Sequence, residues 1–253
     1  MIRAVLFDLG GTLHTKSFSP ERDLWVSEGI ARRLGEHGMI LPVSAEELAR
    51  QIKEGMKAYN RFAAESLTEL PSSRIWAKYI FAPYGVEESC LEPFAEELSF
   101  LYDCGRPNAM PRPALRETME TLRSMGLRLG VISNIISKTA VRHYLEEYEI
   151  SGYMDCVITS AQTGIRKPDV RIFRIAEKAM GMPPEQLAYV GDTISRDVIG
   201  TRRAGWELSI RIENAESAPR DAGFESCGYE PDAAVRRLDE IPPIVEAYNR
   251  NQA

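Results

Sequence analysis

The apolar run Ala4-Val5-Leu6-Phe7 stops at Asp8 and is followed by Gly10-Gly11. A strand buried on both faces and closed by a glycine turn has this pattern. Similar runs recur at Leu127–Ser133, Cys156–Thr159, Ala188–Asp192 and Trp206–Ile212. Between them, Ala114–Met125, Lys138–Tyr148, Val170–Met180 and Arg196–Ala204 read as helices, with Ser137 as the N-cap of the second. Such alternation predicts βαβ units and an α/β fold built on a doubly wound parallel sheet. Residues 231–249 predict a short strand, Ala233-Ala234-Val235, and a closing helix.

From about His14 to Met110 the alternation is interrupted. No strand is predicted there, and Asp23–Glu36, Ala45–Glu65, Ser73–Phe81 and Glu88–Tyr102 carry helical periodicity. In the second of these, Leu48, Ile52, Met56 and Tyr59 share one side. Trp25, Tyr59, Phe62, Trp76 and Tyr79 read as the interior of this module. It ends in a stiff proline-rich hinge, Gly105-Arg106-Pro107-Asn108 and Pro111-Arg112-Pro113. The expected organisation is a core of residues 1–13 and 112–253 with an all-helical cap, 14–111, inserted after the first strand.

The 253 residues are enough for one large or two smaller cores, and 44 % apolar with 27 % charged residues is ordinary globular composition. A net charge of −6 argues against a nucleic-acid partner, which needs a basic face. It also means that any phosphate site is built locally against the average field. The four cysteines, Cys90, Cys104, Cys156 and Cys227, have no ligand-like spacing and read as reduced thiols. The Met-Ile-Arg-Ala-Val-Leu-Phe start carries no signal-peptide pattern, and no apolar run is long enough for a span. A cytoplasmic protein with no membrane partner is expected.

Ligands of open α/β sheets bind at the carboxyl ends of strands, near the switch in strand order. Asp8, Ser133, Lys167 and Asp192 all follow predicted strands. Singly each has a structural explanation: a turn-forming Asp, a capping Ser, a loop Lys, and carboxylates such as Asp192 and Asp197 near a helix N-terminus. Their joint occurrence in this order is far less easily an accident.

The sequence resembles the haloacid dehalogenase superfamily at four motifs. These are Asp8-Leu-Gly-Gly-Thr12-Leu, Val131-Ile-Ser133-Asn134, Gly164-Ile-Arg-Lys167-Pro168 through Phe173, and Tyr189-Val-Gly191-Asp192 through Asp197. The likeness covers the core, and a helical cap between the first two motifs is a recognised subtype. The resemblance implies an Mg²⁺-dependent phosphatase acting on a small phosphorylated metabolite, with Asp8 as nucleophile. It implies Asp8, Asp192 and the Gly10 carbonyl as metal ligands, and Asp197 orienting a metal-bound water. Lys167 would offset the phosphoryl charge, while Ser133, Asn134 and the Gly11–Thr12 turn would grip phosphate oxygens.

One position departs from the family. Most of its phosphatases carry an acid two residues after the nucleophile, and here that residue is Gly10. His14 is a candidate substitute by its ordinary titration range, although a loop histidine is more often solvated. Replacing Gly10 with Asp is expected to help poor leaving groups most. Two other readings stay open: a silent member that binds a phosphorylated ligand or a partner, and a metal-independent dehalogenase, which Asp192 argues against. A Schiff-base role for Lys53, Lys57 or Lys78 has no supporting context, and Arg202-Arg203 and Arg236-Arg237 read as exposed helix faces.

Overall fold

The computed structural model describes residues 1–224 and 227–252. Six parallel strands form one sheet in the order β5-β4-β1-β6-β7-β8. They are β1 (Ala4–Phe7), β4 (Arg128–Ser133), β5 (Met154–Thr159), β6 (Leu187–Gly191), β7 (Leu208–Ile212) and β8 (Ala233–Val235). A separate antiparallel pair joins β2 (His14–Ser17) to β3 (Asn108–Pro111), with His14 opposite Pro111. β1 is buried throughout, because helices cover both faces of a parallel sheet and leave no side of the strand for polar residues.

One face packs Val5, Phe7, Leu129, Val131 and Val190 against the helices Leu115–Ser124, Ala140–Glu147 and Ile241–Asn251. The opposite face packs Leu6, Ile132 and Tyr189 against Ile172 and Phe173 of the helix Val170–Met180, and against Trp206. Alternate β1 residues thus enter opposite cores, as the two-residue period of a strand requires. The chain runs outward from β1 to β4 and β5 and returns beside β1 at β6. The reversal sets the ends of β1, β4 and β6 side by side, where α/β sheets bind ligands.

Between β2 and β3 every regular element is helical, with its own apolar cluster containing Ile30, Leu48, Ile52, Tyr59, Trp76 and Leu98. The helix Ala45–Ser66 begins where the Ser44 hydroxyl accepts from Glu47 N–H, and buries Leu48, Ile52, Met56 and Tyr59 on one side. Several expectations need correction. The ends of the helical segment, expected to hold no strand, pair as β2 and β3. The helix expected over Glu88–Tyr102 is broken into Glu88–Leu91, Ala95–Phe100 and a π-helical turn Leu101–Gly105. Pro93 falls at the break, where its missing N–H cannot support a helix interior. Trp25 is exposed and does not belong to the interior. The four cysteines are free. Arg202 bonds Glu230 and Asp232, whereas Arg236 and Arg237 are exposed beside the short helical turn Leu238–Glu240. No helix among the described residues is long and apolar enough to cross a membrane.

Candidate active site

Asp8 lies immediately beyond β1, its backbone N–H donating to the Val190 carbonyl at 2.9 Å. The chain then turns tightly, with the Thr12, Leu13 and His14 N–H groups all donating to the Leu9 carbonyl. Gly11 sits at φ +97°, in the region that favours glycine, and a Cβ there would lie 2.1 Å from Asp192 Oδ2. The turn can therefore approach the β6 carboxylate only without a side chain. Arg112, just after β3, donates to the Gly11 carbonyl at 2.8 Å and ties the turn to the end of the hairpin.

Asp192 follows β6. Its Oδ2 accepts from Asn214 at 2.8 Å, and Asp221 fixes the next loop by accepting the Ile194 and Ser195 N–H groups. Carboxylate oxygens of Asp8, Asp192 and Asp197 lie within 4.8 Å of one another, all three buried. Burial, then the charges of Asp8 and Asp197, push the Asp192 carboxyl up to about 7. Hard oxygen donors that repel one another in this way fit a small divalent cation.

Lys167 holds the centre. Its ammonium donates to Asp8 Oδ1 at 2.8 Å, Asp197 Oδ1 at 2.7 Å and the Tyr189 hydroxyl at 2.7 Å, which uses all three N–H bonds. Burial by itself lowers this lysine's pKa, but Asp197 and Asp8 outweigh it and hold the ammonium above its ordinary range. Burial likewise raises the Asp8 carboxyl against the opposing pull of Lys167. The other oxygen of Asp197 accepts from Thr193 N–H at 3.0 Å and its hydroxyl at 2.6 Å. Asp197 is thus engaged on both oxygens, consistent with a role in holding Lys167.

The expected residues do not all reach the same space. Asp8, Gly10, Ser133, Lys167 and Asp192 line one chamber of about 70 Å³. Asn134 touches it too, but its side-chain oxygen accepts Lys167 N–H at 2.8 Å and its amide donates to the Lys167 carbonyl at 2.9 Å. Both ends of its amide thus clamp the lysine backbone. Gly11 and Thr12 do not line the chamber: the Gly11 N–H is taken by the His14 carbonyl and the Thr12 N–H by Leu9. The Thr12 hydroxyl is buried with no partner among the described residues.

His14 is also not the solvated loop residue expected. It is fully buried in β2 against Tyr144 and Tyr148, with Nδ1 3.0 Å from the Tyr148 hydroxyl. Burial, aided by Lys16, lowers its pKa to about 2, so it is neutral and has no imidazolium proton to give. Lys53, Lys57 and Lys78 are exposed.

Several residues at the site were missed from sequence. Tyr189 reads as an ordinary core aromatic of a strand, yet its hydroxyl links Lys167 to the Ile132 carbonyl at 2.9 Å. Glu69, just beyond the helix Ala45–Ser66, is buried and accepts from Tyr59, Ser160 and Arg166. Backbone bonds Glu69 N–H to Gly164 and Arg166 N–H to Leu67 hold the same two loops together. Lys16 comes from β2, and its Nζ lies 3.0 Å from where a Gly10 Cβ would sit. Arg166 and Tyr189 stood inside the third and fourth motifs, whereas Glu69 and Lys16 carried no signal in sequence.

Residues 2–205 match the haloacid dehalogenase-like hydrolase family. The chain belongs to this family. It is 28 % identical over 97 % of its length to a glyceraldehyde 3-phosphate phosphatase of Methanopyrus kandleri, 97 % of which is covered. It is 27 % identical to a phosphoserine phosphatase of Thermus thermophilus, over 86 % of this chain and 94 % of that one. Among solved structures, a 2-haloacid dehalogenase from Pseudomonas syringae pv. Tomato superposes with a TM-score of 0.64 at 21 % identity, covering 98 % of this chain and 100 % of that one. A Thermococcus onnurineus HAD phosphatase gives 0.55 at 25 % identity, over 96 % and 98 %. The hydrolase fold is common to both neighbours, so the chemistry is argued from the site.

Proposed function

We propose that this hydrolase is a phosphatase of small phosphorylated metabolites in which Asp8 attacks phosphorus. The carrying observation is Asp8 held at 2.8 Å by the Lys167 ammonium, beside a second buried acid, Asp192. A carboxylate approaching a phosphate dianion is repelled unless positive charge offsets both. Lys167 supplies one such charge at a fixed point, and Tyr189, Asp197 and Asn134 keep it there. Asp8, Asp192 and the Gly10 carbonyl would hold Mg²⁺, which when bound supplies Lewis-acid neutralisation of the phosphoryl oxygens. Ser133 faces the chamber and would bond an equatorial oxygen. Residues 14–111 act in this reading as a cap whose opening and closing select the substrate and gate the water that hydrolyses the acylphosphate. The phosphatase names of the relatives support the same choice.

With Gly10 no carboxylic acid stands two residues after the nucleophile. A general acid is typically worth ~10²–10⁴-fold, or about 3–5.5 kcal/mol of barrier. Good leaving groups need the least of this help, so they are the substrates of choice for a first assay. Hydrolysis of p-nitrophenyl phosphate and acetyl phosphate is expected to require Mg²⁺ and to vanish in Asp8→Asn. Phosphate binding without turnover in the unaltered protein would instead establish a silent binder, and metal-independent halide release from 2-chloropropionate a dehalogenase.

A further inference from the structure

The chamber over Asp8 opens into a larger cavity of about 380 Å³, and the two share Lys16, Asn134, Arg196 and Arg220 in their walls. The larger one is where the rest of a substrate must lie, closed over by Phe18, Met56, Asn60 and Tyr102. Its charge is one-sided. Lys16, Arg106, Arg166, Arg196 and Arg220 line it, against a single carboxylate, Asp103. Two of those cations are already matched, Arg106 by Asp23 at 2.7 Å and Arg166 by Glu69. Lys16, Arg196 and Arg220 have no ion pair among the described residues.

Asp103 can offset at most one of these three cations. It accepts the Ser137 N–H at 2.8 Å, and burial, opposed by Lys16, pushes its carboxyl up to about 7. Lys16 and Arg196 are half-buried and Arg220 is exposed. The charge of Arg196 is opposed by burial, then by Arg166 and Arg220 beside it. Unpaired like charges set together repel one another and lose hydration, a cost that an anion between them offsets. In a chain of net charge −6, this local excess of positive charge is aimed at a ligand.

The inner chamber, with Lys167 and Ser133, has the transferring phosphoryl group as its occupant, which leaves the outer cations for a different anion. We infer that the substrate is a phosphate ester whose alcohol part carries a second anionic group, a carboxylate or another phosphate, bound by Lys16, Arg196 and Arg220. The inference rests on the phosphatase reading above. Guanidinium groups suit either anion, since both offer paired oxygens to a planar donor fork.

The test uses Asp8→Asn protein with Mg²⁺, titrated calorimetrically with glycerol 3-phosphate, 3-phosphoglycerate and 2,3-bisphosphoglycerate. At least one of the two compounds bearing a second anion is expected to bind about tenfold or more tightly than glycerol 3-phosphate, the factor one charged hydrogen bond is worth. A gain for 2,3-bisphosphoglycerate alone identifies a second phosphate, and a gain for both identifies the carboxylate that they share. Adding Arg196→Met, or separately Arg220→Gln, is expected to shrink that preference several-fold. Thermal melts check folding, and exposed Arg220 decides the matter if Arg196→Met does not fold. Equal affinity for all three compounds, or a preference unchanged by the variants, overturns the inference. Turnover of p-nitrophenyl phosphate by the unaltered protein is measured alongside. Turnover without discrimination removes the second-anion site alone, whereas discrimination without turnover removes the phosphatase reading and keeps the site.

Discussion

Gly10 and His14 show how single residues act through their surroundings. A Cβ at residue 10 would lie 3.0 Å from Lys16 Nζ and 3.2 Å from its Cε, so an aspartate there fits only if Lys16 yields. The two would then pair, and the ammonium would keep the new carboxyl ionised and unable to donate a proton. Gly10→Asp alone is thus expected to raise turnover of alkyl phosphates little, and Gly10→Asp with Lys16→Met to raise it more. Steady-state kinetics with ethyl phosphate would decide, and an equal gain in both proteins would contradict this. His14 affects stability. Its folded pKa of about 2 lies below the ordinary 6.5, so the unfolded chain binds the extra proton first. Its contribution is complete above pH 6.5 and is lost progressively as pH falls toward 2, by at most about 1.4 kcal/mol per pH unit. His14→Phe keeps a ring against Tyr144 and Tyr148 while removing that titration. Urea unfolding at pH 7 and pH 5 is expected to show a smaller loss for the variant.

At the scale of elements, the decisive join is between the end of the helix Ala45–Ser66 and the loop that carries Lys167. Glu69 and Arg166 form a buried ion pair there, with Tyr59 and Ser160 taking the remaining carboxylate bonds. A buried pair adds little by itself, but breaking one typically costs about 3–5 kcal/mol, because the surviving charge has no partner. Glu69→Gln is therefore expected to lower unfolding free energy by that order and to reduce kcat, since the Lys167 loop loses its brace. Unchanged urea midpoints would show that the two loops are held by their backbone bonds alone. This join was illegible in sequence: a glutamate before Leu-Pro has no pattern that says which loop, almost 100 residues on, it will meet.

For the whole molecule, three carboxylates converge from two strands and a helical turn, and their mutual repulsion is a cost the fold carries without a cation. Mg²⁺ binding to the folded state alone would relieve it and stabilise the protein by RT ln(1 + [Mg²⁺]/Kd), about 2.7 kcal/mol at a hundredfold excess over Kd. Melting temperature is expected to rise with Mg²⁺, and the rise to disappear in Asp192→Asn. An identical rise in that variant, followed by differential scanning calorimetry, would mean the ion binds elsewhere.

The apolar runs by themselves determined the parallel sheet. A strand buried on both faces has to be apolar along its length, and that shows in four or five consecutive residues. They also placed Asp8 and Asp192 at strand ends, because a run stops where the sheet does. The pairing of β2 with β3 was decided only in three dimensions, since its strands are short, mostly exposed and some 90 residues apart. The same holds for Lys16, Arg196 and Arg220. A cation has the same letter whether solvated or unpaired in a cavity, and only the fold settles which carboxylates come within its reach.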